Sequence, residues 1–412
     1  MTDQIIDVDR VQTHLKALAK IGRTGDGGVT RLAYSTEENE AFSYVQEALP
    51  DDFETHTDQI GNLFAARDLD GDQFILLGSH LDTVYNGGSL DGALGVTTAL
   101  EAVRAATDDD LPIETEPMLC VFRAEESARF GQHTIGSRGA LGRLTVEDLA
   151  STDEEGVPLW QAIQRAGFQP DMLSTPVFDP ERLDSFLEVH IEQGRVLDEA
   201  GLDLGIVTSI RGPVRYRISV EGKYDHSGAT PMNLRRDALT ASSRMILSVE
   251  AATRELANKD DLVATVGDIT AVNGAMNIIC GRVTFPLDIR SNDETVRNMA
   301  EAQILDELEA IADELAVDLT REAVSRSSPV NLDDVLMDEM QGIAADIGAN
   351  ARVLPSGGGH DAMNFQKAGI PTGMIFTPSI DGVSHNPEEA TPASSTAYAT
   401  ELLARSILQN DS

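Results

Sequence analysis

Four short stretches of the sequence each set imidazole or carboxylate groups just behind an apolar run. GSHLDTVYNGGSLDGALGV places His80, Asp82 and Asp91 after the run 74–77, and MLCVFRAEESARFG ends in the adjacent carboxylates Glu125 and Glu126. FLEVHIEQG carries His190 in an apolar strand, and MIFTPSIDGVSHNPEEAT carries His385 in the loop after 374–376. Imidazole and hard oxygen donors without thiolates suit zinc, manganese, cobalt or nickel in a catalytic rather than a structural site. Two such ions about 3.5 to 4 Å apart would share one water and make it a nucleophile at neutral pH. Asp82 could take the other ring N–H of His80, and Asp91 could bridge two cations. Glu125 and Glu126 are neighbours, so their side chains diverge: one could bind metal while the other stays free as a base. Any one of these alone is an ordinary polar loop residue. The set carries the reading, since three of the eight histidines fall near apolar strand ends.

In an open parallel sheet, ligands gather beyond the carboxyl ends of the strands. Residues 74–77 and 118–122 read as buried strands with a helix, 96–106, between them, which implies a parallel sheet. Upstream, 11–21 has helical spacing, and Ser35 or Thr36 before Glu37 and Glu38 caps a second helix running to Leu49. From Val214 the character changes: strand 214–220, helix 237–256, strands 263–271 and 283–289, a long amphipathic helix 294–315 and a last strand 317–323. The order β-α-β-β-α-β is ferredoxin-like. Its flanks, 210–213 and 325–329, read as hinges, and 332–347 as a returning helix. The expected class is therefore α/β, with a split catalytic domain (1–211 and 328–412) built on a mostly parallel sheet. A ferredoxin-like α+β lid, 212–327, is inserted in it.

A chain of 412 residues exceeds what one core usually supports, which agrees with two domains. Its 69 acidic against 31 basic residues give a formal net charge of -38, which argues against nucleic acid or an anionic membrane as partner. Lysine occurs only at Lys16, Lys20, Lys223, Lys259 and Lys367, while 41% of residues remain hydrophobic. That balance suggests a high-salt cytoplasm. Cys120 and Cys280 both lie in apolar runs, as buried hydrophobes rather than a disulfide framework. The opening MTDQIIDVDRV has no basic region followed by an apolar one, and no apolar run approaches spanning length. A soluble cytoplasmic protein is expected.

The ordered motifs GVTRLAYSTEE, IGNLFAAR, GSHLDTVYNGGSLDGALGV, RAEESARFG, HIEQG, DHSGATPM, VGDITAVNGAMNIICG, DIRS, GGGHDAMNF and GVSHNPEEAT run almost end to end. As a set, the chain resembles the M20 family of metallopeptidase-like amidohydrolases, in the branch of hydantoinases and carbamoylases. The resemblance implies two divalent ions held by His80, Asp91, Glu126, His190 and His385, with Asp91 bridging. It makes Glu125 the general base and later proton donor, and Asp82 the orienting carboxylate. In the lid it implies that His226 reaches the partner subunit's site to steady an oxyanion. Asn277 and Arg290 would hold the substrate carboxylate, while Gln193 and Gly359 line the pocket and Arg215 is a further contact. The residue types suit these roles: Arg290 offers a planar fork for a carboxylate, and His226 can donate to charge that develops in the transition state.

The implied reaction cleaves an N-carbamoyl-L-amino acid to amino acid, carbon dioxide and ammonia, in a homodimer joined through the lid. Allantoate amidohydrolase, β-ureidopropionase and dipeptidase activities use the same centre. A non-catalytic ligand-binding member would be marked by loss of Glu125 or of a ligand, and every position is filled. The pattern departs from the family at Arg195 and Cys280, where proline is usual, which leaves the shape of the substrate pocket open.

Overall fold

The computed structural model describes residues 5–108, 113, 115–171 and 174–408. The chain divides into two compact units, Met1–Ile210 with Asn331–Ser412, and Arg211–Val330.

In the first unit the strands are β1 (Glu54–Thr57), β2 (Leu63–Ala66), β3 (Phe74–His80), β4 (Glu116–Phe122), β5 (Leu183–Ile191) and β6 (Leu204–Ile210). The second unit contributes β7 (Gly212–Glu221), β8 (Asp225–His226), β9 (Val263–Thr265), β10 (Thr270–Ala271), β11 (Ile278–Ile279), β12 (Arg282–Ser291) and β13 (Asp318–Arg326). The chain then adds β14 (Val330–Asn331), β15 (Ala351–Ser356) and β16 (Thr372–Thr377).

The large sheet runs β1-β2-β4-β3-β5-β16-β6-β14, with β15 also on β6. All seven residues of β3 are buried, as expected of a central strand covered on both faces. The helix Ala93–Asp108 presents Leu94, Val96, Ala99, Leu100 and Val103 to the core and packs with Val8–Leu18 and Ala393–Leu408. β3 pairs in parallel with both β4 and β5, and β5 pairs in parallel with β16. The carboxyl ends of these four strands therefore share one edge of the sheet, where His80 and His190 end or nearly end β3 and β5 and the loops behind the strands carry Asp82, Asp91, Glu125, Glu126 and His385. The outer β1–β2 and β2–β4 pairs and the β16–β6 pair are antiparallel, so the sheet is mostly rather than wholly parallel.

Local boundaries differ from the sequence reading where caps decide them. The first helix is Val8–Leu18, started by the Asp7 side chain, rather than 11–21. The second is opened by Ser35, whose hydroxyl accepts from the Glu38 N–H at 3.1 Å. The returning helix is Asp334–Asp346, with Asp333 as its cap.

The second unit is an antiparallel sheet in the order β10-β12-β7-β13, with β9 also on β12. The helices Ala238–Ala257 and Glu294–Glu314 pack on it around Ile218, Val249, Phe285, Ile304 and Leu308. The expected single strand 263–271 is two strands. Thr265 faces Asp288 and Thr270 faces Thr284, so four residues, 266–269, stand opposite three, 285–287. The extra residue breaks the ladder as a bulge does. The expected hinges are also shorter than read: only Arg211 separates β6 from β7, Pro213 lies inside β7 opposite Arg290, and β13 extends to Arg326.

Candidate metal centre

His80 closes β3, and His190 is the penultimate residue of β5. Both rings are buried and are fixed through Nδ1, which lies 3.1 Å from the Asp82 backbone carbonyl in His80 and 2.9 Å from the Ile191 carbonyl in His190. A carbonyl can only accept, so Nδ1 carries the proton in each ring. Both Nε2 atoms are left facing Asp91 Oδ1, at 3.4 and 3.2 Å, where each can carry a proton or give its lone pair to a cation.

Asp91 is 5% exposed, and its two oxygens are divided. Oδ1 faces the two buried histidines, while Oδ2 lies 3.5 Å from His385 Nε2 and accepts from Gln193 Nε2 at 2.7 Å. His385 Nε2 is in turn 3.3 Å from Glu126 Oε1. Two donor sets result, His80–Asp91–His190 and Asp91–Glu126–His385, each with its ligand atoms within 4.8 Å of one another and both using Asp91.

The loop after β4 turns through Ala124, a non-glycine residue at φ 52, a conformation that costs about 1–2 kcal/mol unless its surroundings fix it. Asp82 supplies part of that fixing: Oδ1 accepts from the Glu125 N–H at 2.9 Å and Oδ2 from the Glu126 N–H at 3.0 Å. The Asp82 carboxylate lies 3.5 Å from His80 Nδ1, farther than its own backbone carbonyl. Its shortest contacts are thus to the loop that presents the two glutamates, and it faces the His80 ring as well. Glu125 is itself buried, with Oε2 3.8 Å from His80 Nε2.

The electrostatics describe a site short of positive charge. Burial, with Glu126, Asp361 and Asp82 nearby, raises the Glu125 carboxyl well above its ordinary range against the pull of His80. Burial opposes charge on His80 and His190, yet bonds and proximity to Asp82 and Asp91 in the first, and to Asp91 in the second, hold both above the ordinary imidazole value. Bonds to Asp91 and Glu126 push His385 up to about 10. Carboxylates that draw protons onto imidazoles in this way fit divalent cations, which supply the missing charge and use the same lone pairs. The donor set of nitrogen and oxygen without sulfur matches zinc, manganese, cobalt or nickel.

Residues 76–409 match the Peptidase family M20/M25/M40. The chain belongs to this family. It is 37% identical to the N-carbamoyl-L-amino acid amidohydrolase of Geobacillus stearothermophilus, over 98% of this chain and 99% of that protein. It is 33% identical to the allantoate amidohydrolase of Escherichia coli, over 97% of each. The solved structure of an amidase of the hydantoinase/carbamoylase family from Burkholderia multivorans superposes with a TM-score of 0.89 at 29% identity, covering 98% of this chain and 97% of that one. Relatives in this M20 family thus carry amidohydrolase names along nearly the whole length of the chain.

The lid residues named from the family resemblance fall in the second unit and are grouped there in two pairs. β8 and β11 form a two-residue antiparallel ribbon that sets His226 opposite Ile278, and the Ser227 N–H donates to the Asn277 carbonyl at 3.0 Å. His226 is exposed, and its Nδ1 accepts from the Gly228 N–H at 3.0 Å. Its neutral ring therefore keeps the proton on Nε2, the donor its suggested role needs. Arg215 and Arg290 meet on Asp288: Arg215 Nε lies 2.8 Å from Oδ2, while Arg290 Nε and Nη2 take Oδ1 and Oδ2 at 3.0 and 2.8 Å. One fork of Arg290 is thus already engaged by a carboxylate of the protein's own.

In the first unit Gln193 touches the shared carboxylate directly, and the loop of Gly358 and Gly359 passes beside it: a Cβ on Gly358 would come within 2.7 Å of Gln193 Oε1. Residues the sequence reading passed over lie here too. His360 stacks edge-on against His190, with centroids 4.5 Å apart, and its Nε2 lies 2.9 Å from Ser356 Oγ. Burial and the neighbouring His190 keep it well below the ordinary imidazole value, so it is neutral. Glu188 accepts from Ser79 Oγ and the Ala362 N–H, and Asp361, pushed up to about 8 by burial and by Glu188, accepts from Ser137. The stretches FLEVHIEQG and GGGHDAMNF held Glu188, His360 and Asp361, but nothing in either indicated burial of the acids beside the histidines.

Proposed function

We propose that the chain hydrolyses the carbamoyl C–N bond of N-carbamoyl-L-amino acids, releasing the amino acid, carbon dioxide and ammonia. The observation that carries this reading is the division of Asp91 between two donor sets with Glu125 buried beside them. His80, Asp91 and His190 would hold one divalent ion, and Asp91, Glu126 and His385 a second. Bound there, the ions supply Lewis acidity toward the carbamoyl carbonyl and acidify a water. Their charge also acts on Glu125 in the direction opposite to burial, favouring the carboxylate.

Glu125 takes a proton from the attacking water as the new C–O bond forms, then delivers it to the leaving amino nitrogen as the C–N bond breaks. The carbamic acid released falls apart to carbon dioxide and ammonia. His226, through Nε2–H, donates to the oxygen that gains charge in the transition state, and serves the partner subunit's centre in a homodimer joined through the lid. Arg290 and Asn277 hold the substrate carboxylate, with Arg215 beside them and Gln193 and Gly359 along the pocket. The setting is a high-salt cytoplasm. A second reading, allantoate hydrolysis, is favoured by the paired guanidinia of Arg215 and Arg290 on one carboxylate and by the relative of that name.

The test is ammonia release by cobalt- or manganese-loaded protein in molar salt, with N-carbamoyl-L-amino acids, allantoate, N-carbamoyl-β-alanine and a dipeptide side by side. Preference for an N-carbamoyl-L-amino acid supports the proposal. Preference for allantoate selects the second reading, and silence on all four with metal bound overturns both.

A further inference from the structure

The motif GVSHNPEEAT holds two carboxylates that the chemistry above leaves unused, Glu388 and Glu389, and the second is buried. Glu389 lies four residues beyond His385 and is 8% exposed. Its Oε2 accepts two backbone N–H groups from a part of the chain almost three hundred residues away, Leu90 at 2.8 Å and Asp91 at 3.0 Å. These lie at the entry to the helix Ala93–Asp108, whose Leu94 N–H bonds the Leu90 carbonyl and whose Ala93 N–H bonds the Asp91 carbonyl. Glu389 thus holds the two residues just ahead of the helix, one of them the residue on which both donor sets depend.

The fit is close on the other side as well. A Cβ on Gly88 would lie 2.1 Å from Glu389 Oε2 and 2.2 Å from its carboxyl carbon, so the backbone of the 88–91 loop rests on the carboxylate and admits no side chain there. At the other end of the same segment, the Ile380 N–H bonds the Ala390 carbonyl at 2.9 Å, and the Glu389 N–H bonds the Asn386 carbonyl at 3.0 Å. The loop bearing His385 is thus closed on itself and fastened through Glu389 to the loop bearing Asp91.

We propose that Glu389 is a positioning residue of the metal centre, clamping the backbone of Asp91 to the His385 loop so that Asp91 can serve both ions at once. The proposal rests on the two-ion reading of the donor sets. The clamp needs an acceptor oxygen rather than a charge, because one oxygen receives both N–H groups. Glutamine, which offers such an oxygen in the same place, preserves it, and alanine removes it.

The experiment titrates the intact chain with Mn²⁺ by calorimetry and records the visible spectrum of the Co²⁺-loaded form for wild type, Glu389→Ala, Glu389→Gln and Gly88→Ala. Wild type should bind two ions. Glu389→Ala should weaken at least one of them tenfold or more and alter the Co²⁺ bands. Its kcat should drop at least tenfold while KM stays within threefold, and the altered Co²⁺ bands separate this from a smaller folded fraction, which would lower kcat without changing the shape of the bands. Glu389→Gln should stay within threefold of wild type in metal affinity. Gly88→Ala, which drives a methyl group into the carboxylate while leaving Glu389 in place, should reproduce the alanine phenotype and keeps the test available if Glu389→Ala does not fold. Unchanged ion affinities and Co²⁺ spectrum in both Glu389→Ala and Gly88→Ala overturn the clamp, as does Glu389→Gln failing as severely as alanine. A wild-type chain that binds neither metal overturns the two-ion reading itself, and the clamp with it.

Discussion

Glu125 belongs to neither donor set, although it lies within 3.8 Å of a histidine that does. Glu125→Gln keeps the shape and removes the proton acceptor, so kcat should fall by about 10²–10⁴-fold while Mn²⁺ affinity changes little; turnover near wild type with metal bound would remove the base assignment. The histidines give a second prediction. In the metal-free protein His385 is held up to about 10, and His80 and His190 are also raised, so near neutral pH an ion must displace protons to bind. Affinity should therefore rise with pH from about 6 to 9, with proton release visible as a buffer-dependent calorimetric heat; a flat profile would contradict it. The positions of these donors could be picked out from the chain because each follows an apolar run. Their grouping could not. The split of Asp91 between two sets, the bonds from Asp82 to the Glu125 and Glu126 N–H groups and the stacking of His360 on His190 all join loops far apart in sequence. Positive φ at Ala124 and Gln193 has no sequence signal, because neither residue type is enriched in the left-handed region.

At the scale of elements, the site exists because parallel pairing sends the ends of β3, β4, β5 and β16 to one edge and the helix entry at Gly92 turns the chain back over His80. Gly92 has φ +64, and a Cβ there would lie 2.5 Å from His80 Cε1. Gly92→Ala should combine a left-handed backbone cost of about 1–2 kcal/mol with displacement of the His80 ring. The expected result is a lower Tm and weaker binding of the ion held by His80 and His190; a crystal structure with the ring unmoved and wild-type affinity would refute it. Strand and helix order were legible because buried runs and amphipathic periods are local properties. Cap positions and the break in 263–271 were not. The break comes from register against β12, where four residues face three, and register is set by the partner strand rather than by the broken strand's own composition.

For the whole molecule the governing quantity is charge. A formal net charge of -38 on 412 residues stores repulsion that the folded chain concentrates and the unfolded chain relieves by expanding. Many of the arginines are already committed to exposed pairs such as Arg217–Glu322 and Arg244–Glu314, which contribute little each, so most of the acidic excess has no compensating partner in the chain's composition. Dissolved salt can act on the remainder. The Debye length falls from about 10 Å at 0.1 M to about 3 Å at 1 M, and repulsion between surface carboxylates should fade over that interval. Tm should rise steeply with KCl up to about 1 M. Beyond that point simple screening is nearly exhausted, and a continued rise in 2–3 M KCl reports ion exclusion or cation uptake by the carboxylate surface instead. Sucrose at matched water activity separates the two, since it is excluded from surfaces yet screens nothing: it should leave the steep low-salt part of the curve absent. A Tm that is level or falling between 0.1 and 1 M KCl would show that the acidic excess is tolerated without salt, and the high-salt setting inferred from composition would be wrong even with the metal centre intact.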